Sequence, residues 1–141
     1  MNWKLILSLS SFGAAMGIAT IFGLTGGLEG LIWLVVGAIS AWLIAFNVTE
    51  KHFSHGFAVG LIGGGIVPII QAFFFDAYVA HSSQAAEMAA QMEGALGGIG
   101  AQTFTLISAP FIGLFSGVVL GVFAAVAGKF IKPPKDAPPS T

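Results

Sequence analysis

Polar side chains that could bind a small ligand lie close to two prolines within the apolar part of this sequence. Pro68 follows three consecutive glycines by two residues, and Pro110 lies in the last apolar segment. A proline inside a helix leaves the carbonyl of the residue four positions earlier without its usual donor, so both prolines predict a helix break. Gln71, Thr105 and Ser108 lie at a similar depth, where they could line a polar cavity with the freed carbonyls. The alternative is that both prolines are only packing kinks, which are common in membrane helices.

Asp76 is the first acidic residue after a long apolar run and stands within the stretch FFFDAYVAH. Tyr78 is typical of a membrane interface, so we place Asp76 at the boundary of the membrane rather than in its hydrocarbon centre. A carboxylate in the last turn of a helix would face the negative end of the helix dipole. We therefore expect either that the helix continues past Tyr78 or that Asp76 has a partner, such as Gln102 or Thr103.

Two histidines, His52 and His55, are spaced so that both imidazoles can lie on one helix face. This spacing suits a metal, but a third ligand is needed and the nearby Glu50 lies on a different part of the turn. We favour the interpretation that both histidines are polar anchors at the membrane edge.

The sequence offers no recognisable catalytic set. It has no cysteine, which excludes thiolate chemistry, and it contains no G-x-S-x-G, H-E-x-x-H or P-loop motif. No cofactor is indicated, and no catalytic residue is predicted.

The composition indicates which class of protein must position these residues. Hydrophobic residues make up 56% of the 141 residues, and charged residues make up 8%. Soluble domains carry roughly 25% charged residues, so this chain has too few to cover a water-exposed surface. The five basic residues are all lysines and form no basic patch, which excludes nucleic acid as a partner. We therefore predict an integral membrane protein with the lipid bilayer as its surroundings.

Four apolar segments are each long enough to cross a bilayer, which needs about 20 residues of helix. They cover approximately residues 5–24, 30–48, 57–75 and 103–130. The sequence therefore predicts an all-α bundle of four transmembrane helices in residues 1–130. Two Pro-Pro pairs predict an extended tail in residues 131–141.

A short amphipathic helix is predicted between the third and fourth spans. Ser82 or Ser83 can cap its start, and Gly94 can end it. The residues expected on its apolar face are Ala85, Met88, Met92 and Leu96, and those expected on its polar face are Gln84, Glu87 and Gln91.

The lysines predict the orientation of the chain in the membrane. Lys4 precedes the first span, and Lys51 lies between the second and third spans. The other three, Lys129, Lys132 and Lys135, lie at or after the end of the fourth span. The two remaining loops contain acidic residues and no lysine. Because basic loops stay on the cytoplasmic side, both termini are expected to be cytoplasmic, as in a bacterial inner membrane or its equivalent.

Small residues repeat at four-residue spacing in three of the four spans. The positions are Gly13 and Gly17 in the first span, Gly56, Gly60 and Gly64 in the third, and Ala109, Gly113, Gly117, Gly121 and Ala125 in the fourth. Such stripes let helix backbones approach closely, which holds helices together in lipid. They fit either packing within the bundle or contact with a second subunit.

The function that the sequence favours is a non-catalytic accessory or structural subunit. It would pack through its glycine-rich faces against copies of itself or against a larger membrane complex. The alternative is a small-solute or ion channel or transporter that uses the polar cavity in the outer half of the third and fourth spans. A membrane enzyme is a third hypothesis that no motif supports.

Overall fold

The structure, a computed structural model, describes residues 1–95, 100–131 and 134, and the side chains of residues 93 and 94 are not described. This part of the chain is all-helical, with six α-helices and no strand. The helices are α1 (Trp3–Ile21), α2 (Glu29–Asn47), α3 (His52–Phe73), α4 (Phe75–His81), α5 (Ser83–Ala95) and α6 (Ala101–Phe130). Of these, α1, α2, α3 and α6 are long and apolar enough to cross a membrane. Their ends lie within five residues of the predicted spans. Most of the predicted proline-rich tail lies outside the described residues.

Tight turns join the first three helices. Gly26 and Gly27 have φ angles of 52° and 83° between α1 and α2, a left-handed backbone that glycine adopts without a steric cost. Glu29 lies in the first turn of α2, where the helix dipole favours a negative charge. Lys51 has a φ of 58° directly before α3. The direction of the chain therefore reverses between α2 and α3 in the short turn that ends at Lys51. Helix α3 begins at His52, five residues before the predicted third span.

The antiparallel helices α3 and α6 form the most extensive helix contact in the structure. A Cβ atom on Gly60 would overlap the carbonyl oxygen of Ser116, and one on Gly113 would lie 2.7 Å from the carbonyl oxygen of Leu61. The two backbones come this close because neither glycine has a Cβ atom. Other glycines at this crossing are Gly56, Gly64, Gly65, Gly117 and Gly121.

The small-residue stripe of α6 turns slightly around the helix. Ala124 is fully buried, whereas Ala125, the residue that exact four-residue spacing predicts, is half-buried. Each step of four residues advances about 40° beyond a full turn, so a long stripe must include a step of three to stay on one face.

Helix α1 packs against the other side of α3. A Cβ atom on Gly13 would overlap the backbone of Gly63, and one on Gly17 would lie 3.2 Å from the side chain of Ile70. The Ser10 hydroxyl donates a hydrogen bond to the Val59 carbonyl at 3.4 Å. Together, α1, α3 and α6 form a closely packed three-helix unit.

The two ends of the molecule differ in charge and in packing. One end, here called the lysine end, carries Lys4, Lys51 and Lys129, and the opposite end, the α4 end, carries α4 and the turn between α1 and α2. The apolar core lies toward the lysine end and consists of Ile6, Leu9, Ala41, Ile44, Val48, Val59 and Ala124. This core attaches the second half of α2 to the three-helix unit.

The helix break lies at the α4 end, where the sequence did not predict one. The predicted breaks at Pro68 and Pro110 do not occur, because α3 and α6 each remain one continuous helix through their proline. A proline removes one backbone hydrogen bond, and packing against neighbouring helices compensates for that loss. α3 ends at Phe73, Phe74 has a φ of −112° and a ψ of 39°, and α4 begins at Phe75. The helix that leads to Asp76 therefore ends three residues before it, and Tyr78 lies in a separate helix, so the expectation of one helix continuing past Tyr78 is wrong. Asp76 lies in the first turn of α4, where the helix dipole favours a carboxylate. Its side chain is exposed and forms no hydrogen bond or ion pair with any described residue.

The predicted short helix before the last long helix is present as α5. The Ala85 backbone N–H donates to the Ser82 hydroxyl at 3.2 Å, which caps its start. Ala85 is buried, and Met88 and Met92 are partly buried. The residues expected on the polar face, Gln84, Glu87 and Gln91, are all exposed. Leu96 lies outside the described residues.

Candidate functional site

A cleft of about 400 Å³ separates α2 from the three-helix unit. Its walls are formed by residues between 9 and 13 of α1, between 30 and 40 of α2, between 59 and 71 of α3, and between 112 and 123 of α6. Aliphatic, aromatic and glycine residues make up most of this lining. The cleft is therefore a largely apolar space.

The cleft exists because α2 is attached over only half of its length. The buried residues of α2 are Ser40, Ala41, Ile44 and Ala45, and no residue between 29 and 39 is buried. Gly30 and Gly37 have no atom within 4 Å of the position that a Cβ would take. The glycines of α1, α3 and α6 are used in close helix contacts, whereas these two face open space.

A hydrogen-bonded pair lies at the α4 end of the cleft. The Gln71 side-chain amide donates to the Thr20 hydroxyl at 3.1 Å, and that hydroxyl donates to the Gly17 carbonyl at 2.8 Å. Gln71 is 9% exposed and lines the cleft. Its side-chain carbonyl oxygen accepts no hydrogen bond from the described residues. Gln71, which lines the cleft, therefore has one acceptor that no described residue uses.

Two serines add hydroxyl groups to the cleft. Ser40 from α2 is 2% exposed, and Ser116 from α6 is half-buried; both line the cleft. Neither hydroxyl has a hydrogen-bond partner among the described residues. A serine in a helix can also turn to the carbonyl three or four residues earlier, so these hydroxyls are adaptable rather than fixed donors.

The predicted cavity residues separate into two groups. Pro68 and Gln71 line the cleft, whereas Thr105, Ser108 and Pro110 do not. The Thr105 hydroxyl donates to the Ala101 carbonyl at 2.9 Å, and the Ser108 hydroxyl donates to the Thr105 carbonyl at 2.7 Å. Both hydroxyls are thus bonded within α6. The structure does not bring Thr105 and Ser108 together with Gln71 in the cleft.

Gln102, expected as a partner of Asp76, instead joins α6 to the end of α3. Its side-chain amide donates to the Ala72 carbonyl at 2.9 Å, a carbonyl in the last turn of α3 that has no donor within the helix. A small cavity of about 150 Å³ lies beside this contact, lined by Phe73, Thr103 and Leu106 among others.

The two histidines occupy different environments at the lysine end. His55 is fully buried; its Nε2 lies 2.9 Å from the Asn2 backbone nitrogen, and its Nδ1 lies 2.9 Å from the Lys51 carbonyl oxygen. Because a backbone N–H can only donate, Nε2 accepts and Nδ1 carries the proton. Both ring nitrogens are therefore engaged within the chain, which leaves neither for a metal.

His52 packs its ring against Gly128 of α6, and its buried Nε2 has no hydrogen-bond partner in the described part of the chain. No group of three or more His, Cys, Asp or Glu residues that could hold a metal occurs among the described residues. His55 is buried and joins the start of α1 to the start of α3.

Tyr78 is a titratable group of the α4 end, outside the four long helices. Burial raises the pKa of Tyr78 above its usual value of 10.0, and the negative charge of Glu29 raises it further. Glu29 in turn accepts a hydrogen bond from the Thr25 hydroxyl at 2.9 Å. Glu29 therefore contributes a negative charge beside the α4 end of the cleft, and none of the described lysines lies at that end.

Sequence reasoning missed the contribution of α2 to the site. Trp33, Gly37 and Ser40 all line the cleft. A serine within an apolar span was the available signal, since polar groups in such segments tend to face the protein interior.

Comparison of the chain with models of protein families, with curated proteins and with solved structures found no match.

Proposed function

We propose that this chain is an integral membrane protein in which α1, α2, α3 and α6 form a four-helix bundle with both termini on the cytoplasmic side. The lysine end then faces the cytoplasm, in agreement with the positive-inside rule. Large apolar side chains such as Leu7, Phe111 and Phe130 are 60%, 69% and 82% exposed. A bilayer solvates such a surface, which water does not.

Within that membrane the chain acts as a non-catalytic accessory subunit, which packs against copies of itself or against another membrane protein. The half-attached α2 is the observation that carries this proposal. The glycine faces of α1, α3 and α6 are filled by contacts inside the chain, so they offer little to a partner. Leu31, Val35 and Ile39 of α2 are 61%, 52% and 48% exposed. Since helix association in lipid depends on close packing, the first half of α2, in which no residue is buried, leaves a face that an external partner can pack against.

A photo-crosslinking amino acid at Val35 tests this assignment in intact membranes. The account expects a crosslinked product of higher mass that contains protein, either a second copy or another chain. The matched control is the same amino acid at Phe111, an exposed position of α6, where crosslinks to lipid are expected. Crosslinks to lipid alone at both positions would contradict the proposal.

The second candidate is a small-solute or ion channel or transporter, and the cleft is the observation that favours it. Its lining contains no charged residue, and the Thr105 and Ser108 hydroxyls are bonded within α6, so it suits an apolar occupant better than an ion. Solute flux into liposomes containing the purified chain, abolished by Gln71→Leu, would support this second candidate over the first.

A further inference from the structure

We infer that the cleft beside α2 binds one acyl chain of a membrane lipid whose head group carries an ammonium and lies at the α4 end. This inference rests on the membrane insertion proposed above and does not depend on the accessory role. Four observations lead to it: the length of the cleft, its volume, the polar group at one end and the charge of that end.

The length of the cleft matches one leaflet of a bilayer. Its α3 wall runs from Val59 to Gln71, twelve residues or about 18 Å at 1.5 Å per residue. Its α2 wall runs from Gly30 to Ser40, about 15 Å by the same rise. Half of the hydrocarbon core of a bilayer is about 15 Å thick. An occupant that enters at the α4 end therefore spans about the depth of the outer leaflet.

The volume of the cleft suits a small apolar occupant. About 400 Å³ lies at the small end of the range of ligand pockets, about 300–1,000 Å³. Carbon–carbon contact distances of 3.5–4.0 Å make an extended hydrocarbon chain roughly 4–5 Å wide, so one such chain can lie along a cleft that is narrow and lined mostly by apolar side chains.

Polar groups lie where an amphiphile would need them. Gln71 is at the α4 end of the cleft with a side-chain oxygen that accepts no hydrogen bond from the described residues. It can accept one from the head group. Ser40 and Ser116 lie deeper and can turn to carbonyls of their own helices, so an apolar chain beside them leaves no hydroxyl unsatisfied.

Charge selects the kind of head group. Glu29 immediately precedes Gly30 at the mouth of the cleft, and Asp76 is exposed at the same end. The lysines that the structure describes, Lys4, Lys51 and Lys129, lie at the opposite end. An anionic head group would meet negative charge with no compensating cation, whereas an ammonium would be attracted. The expected ligand is therefore a zwitterionic phospholipid with an ammonium rather than a purely anionic one.

Native mass spectrometry of the whole chain, extracted from membranes in a mild detergent, tests the inference. The wild type is expected to retain one phospholipid. Gly37→Leu fills the cleft from a position with no neighbouring atom within 4 Å of the added Cβ, and it should lose the adduct. Ala38→Leu is the matched control, because Ala38 is the next residue, is exposed and does not line the cleft; it should keep the adduct.

Several results would overturn the inference. These are no adduct on the wild type, an adduct that survives in Gly37→Leu, or an adduct with the mass of a single-chain amphiphile. Gly30→Leu, at the mouth of the cleft, repeats the test if Gly37→Leu fails to fold, as judged by circular dichroism. Nanodiscs that contain equal amounts of phosphatidylethanolamine and phosphatidylglycerol test the head group, and equal binding or a preference for the latter would contradict the ammonium assignment.

The failure of this inference can be told apart from the failure of membrane insertion. The chain should stay with the membrane pellet after alkaline carbonate extraction. A chain released by carbonate would contradict insertion itself, whereas a retained chain without a lipid adduct would contradict only the lipid site.

Discussion

At the scale of single residues, His55 shows how a polar side chain is accommodated in a very apolar protein. Its two ring nitrogens bond to the Asn2 N–H and the Lys51 carbonyl, so one imidazole connects the start of α1 to the start of α3. The sequence places His55 three residues after His52 and predicts that each of them is a polar anchor at the membrane edge. That spacing carried no information about burial, which depends on the N-terminal segment lying over the ring.

We predict that His55→Ala lowers the free energy of unfolding by about 2–4 kcal/mol, since it leaves the Asn2 N–H without its partner and opens a cavity. Thermal unfolding in detergent, followed by circular dichroism, measures the change. His81→Ala is the control: His81 is exposed and bonds only to the Ala77 carbonyl of its own helix, so the effect should stay within about 0.5 kcal/mol. Equal effects in the two variants would refute the assigned role of His55.

Tyr78 predicts a pH dependence at the α4 end. Burial and the charge of Glu29 raise the pKa of Tyr78 in the folded state. The protonated phenol therefore contributes its full stabilisation below the pKa of the unfolded chain, about 10, and that stabilisation is lost as the pH rises through the higher pKa of the folded state. Stability should therefore fall more steeply above pH 10 in the wild type than in Tyr78→Phe, which lacks the phenol. Tyr78 is the single tyrosine of the chain, so the phenolate absorbance reports its titration directly; a midpoint at or below 10 would be incompatible with this account.

At the scale of helices, the sequence was most informative about what each segment is and least informative about how the segments meet. Long apolar runs identified four helices, because the length and composition of a span are local properties. The break at Phe74 was missed, since none of Phe73–Phe75 is a helix breaker. The stripes on α3 and α6 predicted close packing but left open whether the contact was within the chain. The cleft could not be predicted, because it depends on where α2 separates from its neighbours.

The glycine contacts predict opposite outcomes for the same substitution on two helices. Gly60→Ala places a Cβ against the Ser116 carbonyl and should cost about 1–3 kcal/mol by overpacking. Gly37→Ala meets nothing within 4 Å, and helix propensity should make it neutral or up to about 1 kcal/mol stabilising. Unfolding of both variants in the same detergent gives the comparison. A Gly60→Ala variant as stable as Gly37→Ala would show that α3 and α6 do not approach as described.

At the scale of the whole molecule, the separation of charge predicts the topology. The chain has no native cysteine, so single cysteines report accessibility without background. Thr49 and Ser83 are both exposed, near the lysine end and the α4 end respectively. In intact cells an impermeant maleimide should label Ser83→Cys and not Thr49→Cys, and permeabilisation should make both reactive. The reverse pattern would contradict the cytoplasmic placement of the lysine end.

The measurement that most directly tests the central claim, that this chain is an accessory membrane subunit, is the polypeptide content of the particle extracted from membranes without crosslinker. One chain has a mass of 14.5 kDa. The account predicts a particle that contains at least two polypeptides, either copies of this chain or this chain with another membrane protein, and no solute flux after reconstitution. A particle that contains a single chain and supports solute flux in liposomes would contradict it.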